Sequence, residues 1–209
     1  MQGRESVPFR QKERVDFTMT KRTLKPGNLL YPLPAVLVSA SDSEGHANLL
    51  TVAWTGTVSS DPAMVYISVR KSRYTHHMLK ETGEFVINLT TDELIRATDY
   101  CGVRSGKDED KWQASGLTPA PSVKVKAPSV LESPVNIECR VTEVLELGSH
   151  DMFLAEVVSM SADEALFDET DRLCLEKAHL AAYSHGLYQS LGDVIGSFGY
   201  SVKGEGKKK

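Results

Sequence analysis

The chain has 209 residues, enough for one substantial core and few for two independent ones. A composition of 41% hydrophobic and 25% charged residues is globular and too mixed for a disordered chain. The formal net charge of −4 argues against nucleic acid as main partner, and no apolar run approaches the roughly 20 residues that span a bilayer.

Residues 1–22 are polar and charged, read as a loose arm, and hold no apolar core of a secretory signal. Cys101, Cys139 and Cys174 are odd in number and far apart, so a disulfide framework is not expected and a reducing cytoplasm is. Lys25–Asn28 reads as a turn. Leu29–Ala40 is apolar, and Pro32 and Pro34 give it an irregular or edge start as a strand. Ser41–Gly45 has hairpin-turn chemistry, and Ala47–Trp54 is the expected return strand. Met64–Arg70 alternates as a half-buried strand does. A short helix over Thr75–Glu81 is expected to stop at Gly83, before a strand over Glu84–Leu89.

Thr91–Cys101 is predicted helical, capped by Thr91, favoured by Asp92 and Glu93 at its positive end, and ended by Gly102. Residues 104–116 read as a charged loop with a short helix near Asp110–Ala114, and Leu117–Pro134 as irregular. Pro134–Leu147 and His150–Ser161 are the clearest strands, joined by a tight turn at Gly148-Ser149, with a bulge near Thr142–Glu143. An acidic connection over residues 163–178 and a glycine-rich tail, Leu191–Val202, complete the chain before the basic residues 203–209. Strands joined mostly by turns, with few short helices, predict an antiparallel barrel and not a doubly wound sheet.

The stretch Ala47–Thr75 concentrates the chemistry. Small hydroxylated residues (Thr51, Thr55, Gly56, Thr57, Ser59, Ser60) precede Asp61-Pro62, which reads as a turn, and a strand ending in Arg70, Lys71 and Arg73. Small side chains admit close backbone approach, and the basic end suits an anion, so a phosphorylated ligand is expected here. Other sites find no support. There is no G-x-G-x-x-G between strand and helix, no P-loop and no G-x-S-x-G. The adjacent His76-His77 do not share a helix face, so no metal is expected.

The segments YPLPAVLVSASDSEG, NLLTVAWTGTVSSDP, ISVRKSRYT, DYCGVRSGKDEDKW and ELGSHDMFLAEV occur in order, and in them the chain resembles the flavin reductase-like proteins, particularly the flavoredoxin-like branch. The resemblance spans nearly all of a single domain at 23–202. It implies a mainly β fold, the FMN-binding split β-barrel: a Greek-key antiparallel barrel with a few short peripheral helices. It also implies a homodimer, with one FMN per subunit near the dimer interface.

By the same resemblance Asn48, Thr51, Ala53 and Trp54 line the flavin. Ser68, Arg70 and Lys71 lead to the phosphate, with Tyr74 and Thr75 beyond. Lys111 reaches FMN, His150 lies near the flavin, and Tyr183 stands close to the ring. The expected activity is NAD(P)H-dependent flavin reduction with onward electron transfer. NADH or NADPH would be the donor, and no side chain is required as a base for hydride transfer. A non-enzymatic FMN electron carrier and a flavin-storage or interaction protein are the alternatives. Cys101 is expected to be a partly buried free thiol without redox work.

Overall fold

The computed structural model describes residues 21–202, so most of the expected N-terminal arm and all of the basic tail lie outside the described residues. The first half runs β1 (Leu33–Pro34), β2 (Val36–Ser41), β3 (Ala47–Val52), β4 (Thr55–Ser60), β5 (Ala63–Arg70), α1 (Thr75–Thr82), β6 (Glu84–Leu89) and α2 (Ile95–Val103). The second runs α3 (Lys111–Ser115), β7 (Pro119–Ala120), β8 (Ser129–Val130), β9 (Val135–Glu146), β10 (His150–Ala162), β11 (Ala181–Ser184) and β12 (Leu187–Ser190).

Seven strands form one sheet in the order β3-β2-β6-β9-β10-β5-β4, all pairs antiparallel. A single core fills its inner face: Val36 and Val38 of β2, Leu50 and Val52 of β3, Val65, Ile67 and Val69 of β5, Phe85 of β6 and Phe153 of β10. Met78 and Leu79 of α1 close one end. Residues from β3 and from β5 thus meet in one core although these strands share no ladder, so the sheet curls into a barrel. The β-branched residues of β5 alternate inward, which sends Tyr66, Ser68 and Arg70 outward.

Strand β2 is buried on both faces, because Leu37 packs with Leu49, Cys101, Trp112 and Val130 beneath α2 and α3. A second sheet, β1-β11-β12, flanks the barrel. The bulge between β9 and β10 lies where expected. Leu154 pairs with Glu143 and Ala155 with Val141, so Thr142 is the extra residue. Asp110 caps α3 by accepting from the N–H groups of Trp112 and Gln113.

Four local readings need correction. The helix α2 starts at Ile95, because Thr91 is drawn into a bridge with Leu180. Gly102 lies inside α2 and does not end it. Residues 55–60 form β4, with Thr55 buried and donating to the Tyr66 carbonyl at 2.6 Å, so this hydroxyl cluster is largely strand. The hairpin β11–β12 was not anticipated; its loop, His185-Gly186, has positive φ at both residues. Cys101 is fully buried, as are Cys139 and nearly so Cys174, all as free thiols. No described helix is long and apolar enough to cross a membrane.

Candidate functional site

The outward face of β5, the end of β3 and the β11–β12 hairpin enclose a cavity of about 340 Å³. It adjoins a second cavity of about 300 Å³, and Leu50, Arg70 and Arg73 line both. The pair forms one site with two lobes of different chemistry.

The first lobe is aromatic. Thr51, Ala53, Trp54, Ser68, Arg70, His150 and Tyr183 all line it. Ser68 N–H donates to the Trp54 carbonyl at 2.8 Å, which folds the β3–β4 connection against β5. The Trp54 and His150 rings lie nearly parallel, 12° apart, with centroids 6.2 Å apart. Burial, with Arg70 beside it, lowers the His150 pKa below its ordinary value and so favours the neutral imidazole. Tyr183 meets Tyr31 and Tyr188 edge to face, and the Tyr188 hydroxyl donates to Asp99 at 3.1 Å. This ties the flanking sheet to α2. Thr51 donates its hydroxyl to the Thr98 carbonyl. Its Cβ stands 3.1 Å from where a Cβ on Gly102 would lie, so a side chain at residue 102 would press on Thr51 and push α2 and β3 apart by a few tenths of an ångström.

The second lobe is cationic. Arg70, Arg73, Arg104 and Lys111 line it, with Ser72, Thr75 and Ser105. Among the described residues Arg70, Arg73 and Lys111 form no ion pair, and Arg104 pairs with Glu109 at 3.8 Å and lies over the Tyr100 ring, 6.0 Å from its centroid. Lys111 is 2% exposed, and its ammonium donates to the carbonyls of Cys101 at 2.9 Å and Arg104 at 3.2 Å. Burial lowers its pKa from 10.5 to about 8, and the nearby Arg73 pushes the same way. Asn48, 4% exposed, donates to the Thr75 hydroxyl at 2.7 Å. Gly106 lies against this amide, where an added Cβ would come within 2.1 Å of Asn48 Oδ1. Beyond Asn48, Tyr74, Gly106 and Lys111 the lobe opens into a wider groove of about 690 Å³.

The structure therefore brings together Asn48, Thr51, Ala53, Trp54, Ser68, Arg70, Tyr74, Thr75, Lys111, His150 and Tyr183. Lys71 stands apart. Its ammonium reaches Glu146 at 2.9 Å and Asp151 at 3.3 Å; Asp151 stands across from the core-facing Val69, on the side away from Arg70. Arg73, two residues on in the following turn, supplies the charge instead. Tyr188, Arg104, Gly102 and Gly106 also border the site and were not singled out from the sequence. The His185-Gly186 pair between two tyrosine-bearing runs was the available signal for Tyr188.

A family model described as "Flavin reductase like domain" matches residues 29–192. An uncharacterized protein of Archaeoglobus fulgidus is 36% identical over 139 residues, 66% of this chain and 77% of its own length. The flavoredoxin of Desulfovibrio vulgaris (Miyazaki F) superposes with a TM-score of 0.82 at 30% identity, covering 88% of this chain and 100% of its own. Flavoredoxin from Methanosarcina acetivorans gives a TM-score of 0.77 at 28% identity, over 88% and 98%. The barrel is the split barrel of these proteins, and the chain belongs to the flavin reductase-like domain family.

Proposed function

We propose that the chain binds FMN across the two lobes and is an oxidoreductase that takes electrons from NADH or NADPH and passes them to free flavin, a partner oxygenase or another acceptor. The observation that carries this reading is the pairing of an aromatic slot with a cationic pocket short of counter-charge, in a chain whose net charge is −4. The lobes fall within the size range of cofactor sites, roughly 300–1,000 Å³. A phosphate with nearly two negative charges suits Arg70, Arg73, Arg104 and Lys111, with the hydroxyls of Ser72, Thr75 and Ser105 as further donors. Trp54, Tyr183 and Tyr188 would flank the flat ring and exclude water from it. FMN would supply the hydride chemistry, while the residues of the chain bind, orient and shield it.

Residues 23–202 form the flavin-binding domain in this proposal. The homodimer is part of it too. Exposed apolar side chains cluster in the tail, with Ile195 94% exposed, beside Leu191, Val194, Phe198 and Val202, and a second subunit would cover them. Light scattering on the purified protein checks this.

The activity is tested by adding FMN to the purified protein and mixing it anaerobically with NADH or NADPH. Bleaching of the visible flavin band within the turnover time of a reductase supports the enzyme. A band that stays unbleached with both donors rejects it. The likeness to flavoredoxins favours a second reading, an electron carrier that holds FMN and is reduced by a protein partner. That reading requires FMN to survive dialysis and to cycle reversibly with a redox mediator.

A further inference from the structure

The segment Arg70–Thr75 joins β5 to α1 and carries Arg70, Ser72, Arg73, Tyr74 and Thr75 into the cationic lobe. Its backbone closes on itself, with Arg73 N–H donating to the Arg70 carbonyl and His76 N–H to the Arg73 carbonyl, each at 2.9 Å. Those turns shape the segment, and Asn48 of β3 ties its far end through the Thr75 hydroxyl at 2.7 Å. One carboxylate outside the cavity holds both of its flanks. Asp151, 2% exposed on β10, accepts from or pairs with His76 Nε2 at 2.8 Å and with the Lys71 ammonium at 3.3 Å. Lys71 is the first residue of the segment beyond β5, and His76 follows its end. Glu146, directly across from Asp151 on β9, holds the same ammonium at 2.9 Å. The His76 ring in turn packs edge-on against the core residue Phe153, with centroids 5.5 Å apart.

We propose that Asp151 is a positioning residue for phosphate recognition, a buried clamp that grips both ends of the anion-binding segment and holds Arg70 and Arg73 where the ligand's phosphate meets them. The inference rests on the FMN reading above. Asp151 does not border either lobe, so it acts only through Lys71 and His76. Burial disfavours its charge, yet His76 and Lys71 outweigh that and hold the carboxyl below its ordinary range. The carboxylate is thus charged while it grips.

Two ways in which Asp151 could influence the ligand have opposite signs. By Coulomb's law alone, a negative charge behind a cationic pocket weakens anion binding, so removing it tightens the complex. As a clamp, its removal loosens the segment and weakens the complex. The variant Asp151→Asn keeps the volume and removes the charge. Dissociation constants are measured for FMN, for riboflavin and for inorganic phosphate as competitor, with thermal unfolding followed alongside.

Wild-type protein should prefer FMN over riboflavin; if it does not, the phosphate assignment itself fails. If it does, Asp151→Asn should lower FMN affinity by about tenfold or more, leave riboflavin within about twofold, and weaken competition by phosphate. An FMN affinity that is unchanged or higher, or a parallel loss for both flavins, overturns the clamp. Should Asp151→Asn not fold, His76→Leu removes one arm of the clamp and decides alone: the FMN-to-riboflavin preference falls several-fold, or the proposal is wrong.

Discussion

The ammonium of Lys111 donates to the Cys101 carbonyl at 2.9 Å and meets no carboxylate among the described residues. A cation this deeply buried is held by carbonyl dipoles at the end of α2, an arrangement that suits the negative end of a helix. It leaves a donor free and a charge without a counter-ion, both of which a phosphate would satisfy. Replacing Lys111 with Met should therefore lower FMN affinity by about 10- to 100-fold and leave riboflavin little changed. Lys208→Ala, in the basic run at the chain's end, should have no comparable effect. Equal affinities of the two variants in a fluorescence titration would remove Lys111 from the site.

The same lysine predicts two pH effects of opposite direction. Its pKa lies near 8 in the folded chain and at 10.5 when exposed, so across that window the unfolded chain binds more protons. Stability from this group therefore rises with pH between those values. Under the proposed lysine–phosphate pairing, flavin binding should behave inversely, because the phosphate would need the charged ammonium. FMN affinity should fall as pH rises through about 8, and also below about pH 6, where the phosphate takes up its second proton. Titrations across pH 5–10 with riboflavin as control check this; a profile identical for both ligands would refute the lysine–phosphate pairing.

Gly106 and Asn48 make a prediction about shape. An alanine Cβ at residue 106 would fall 2.1 Å from Asn48 Oδ1, a distance that atoms do not share. Asn48 cannot swing away without giving up its bond to Thr75. Either the 104–110 loop or the amide must move, and both border the cationic lobe. Gly106→Ala should cost about 1–3 kcal/mol of stability and weaken FMN more than riboflavin. Gly116→Ala is the contrast: nothing lies within 4 Å of its Cβ position, and only its left-handed φ of +73° resists substitution. Loss of stability there should come without loss of phosphate preference.

The elements that sequence patterns located were those fixed by local rules. Alternation marked β5 and β9, the slip near Thr142–Glu143 marked the bulge, and the short helix expected near Asp110–Ala114 is α3. Lys71 escaped alternation because β5 ends at Arg70: its direction is set by the turn and by the acids Glu146 and Asp151 on β9 and β10, which come together only in the fold. Strand β4 escaped notice because Gly56, Thr57, Ser59 and Ser60 lie on an edge strand that is largely open to solvent, where no hydrophobic period is imposed. The glycines at 102 and 106 have no local signature at all. Their meaning lies in contacts with Thr51 and Asn48, some fifty residues earlier in the chain, which folding alone creates. Lys111, His150 and Tyr183 were placed by likeness to a family, and the fold brings them from separate elements to the two adjoining lobes, Lys111 to the cationic one and His150 and Tyr183 to the aromatic one.

Glu138 separates the fold from the site. This carboxylate, 3% exposed on β9, accepts from three consecutive backbone N–H groups, those of Val123, Lys124 and Val125, at 2.8, 2.5 and 3.2 Å. The strands cannot serve these donors, because residues 121–127 cross the barrel as an irregular loop. One charged side chain therefore replaces a ladder. Glu138→Ala would leave several donors unpaired against buried surface, at about 3 kcal/mol, while Glu138→Gln keeps an acceptor and should lose less. In urea the midpoint should fall with an unchanged slope if the native fold persists. Glu138 borders neither lobe, so the folded variant should bind FMN as the wild type does. A variant that kept its stability would show the three short contacts to be dispensable. One that stayed stable but lost FMN would show that the loop over residues 121–127 belongs to the site after all.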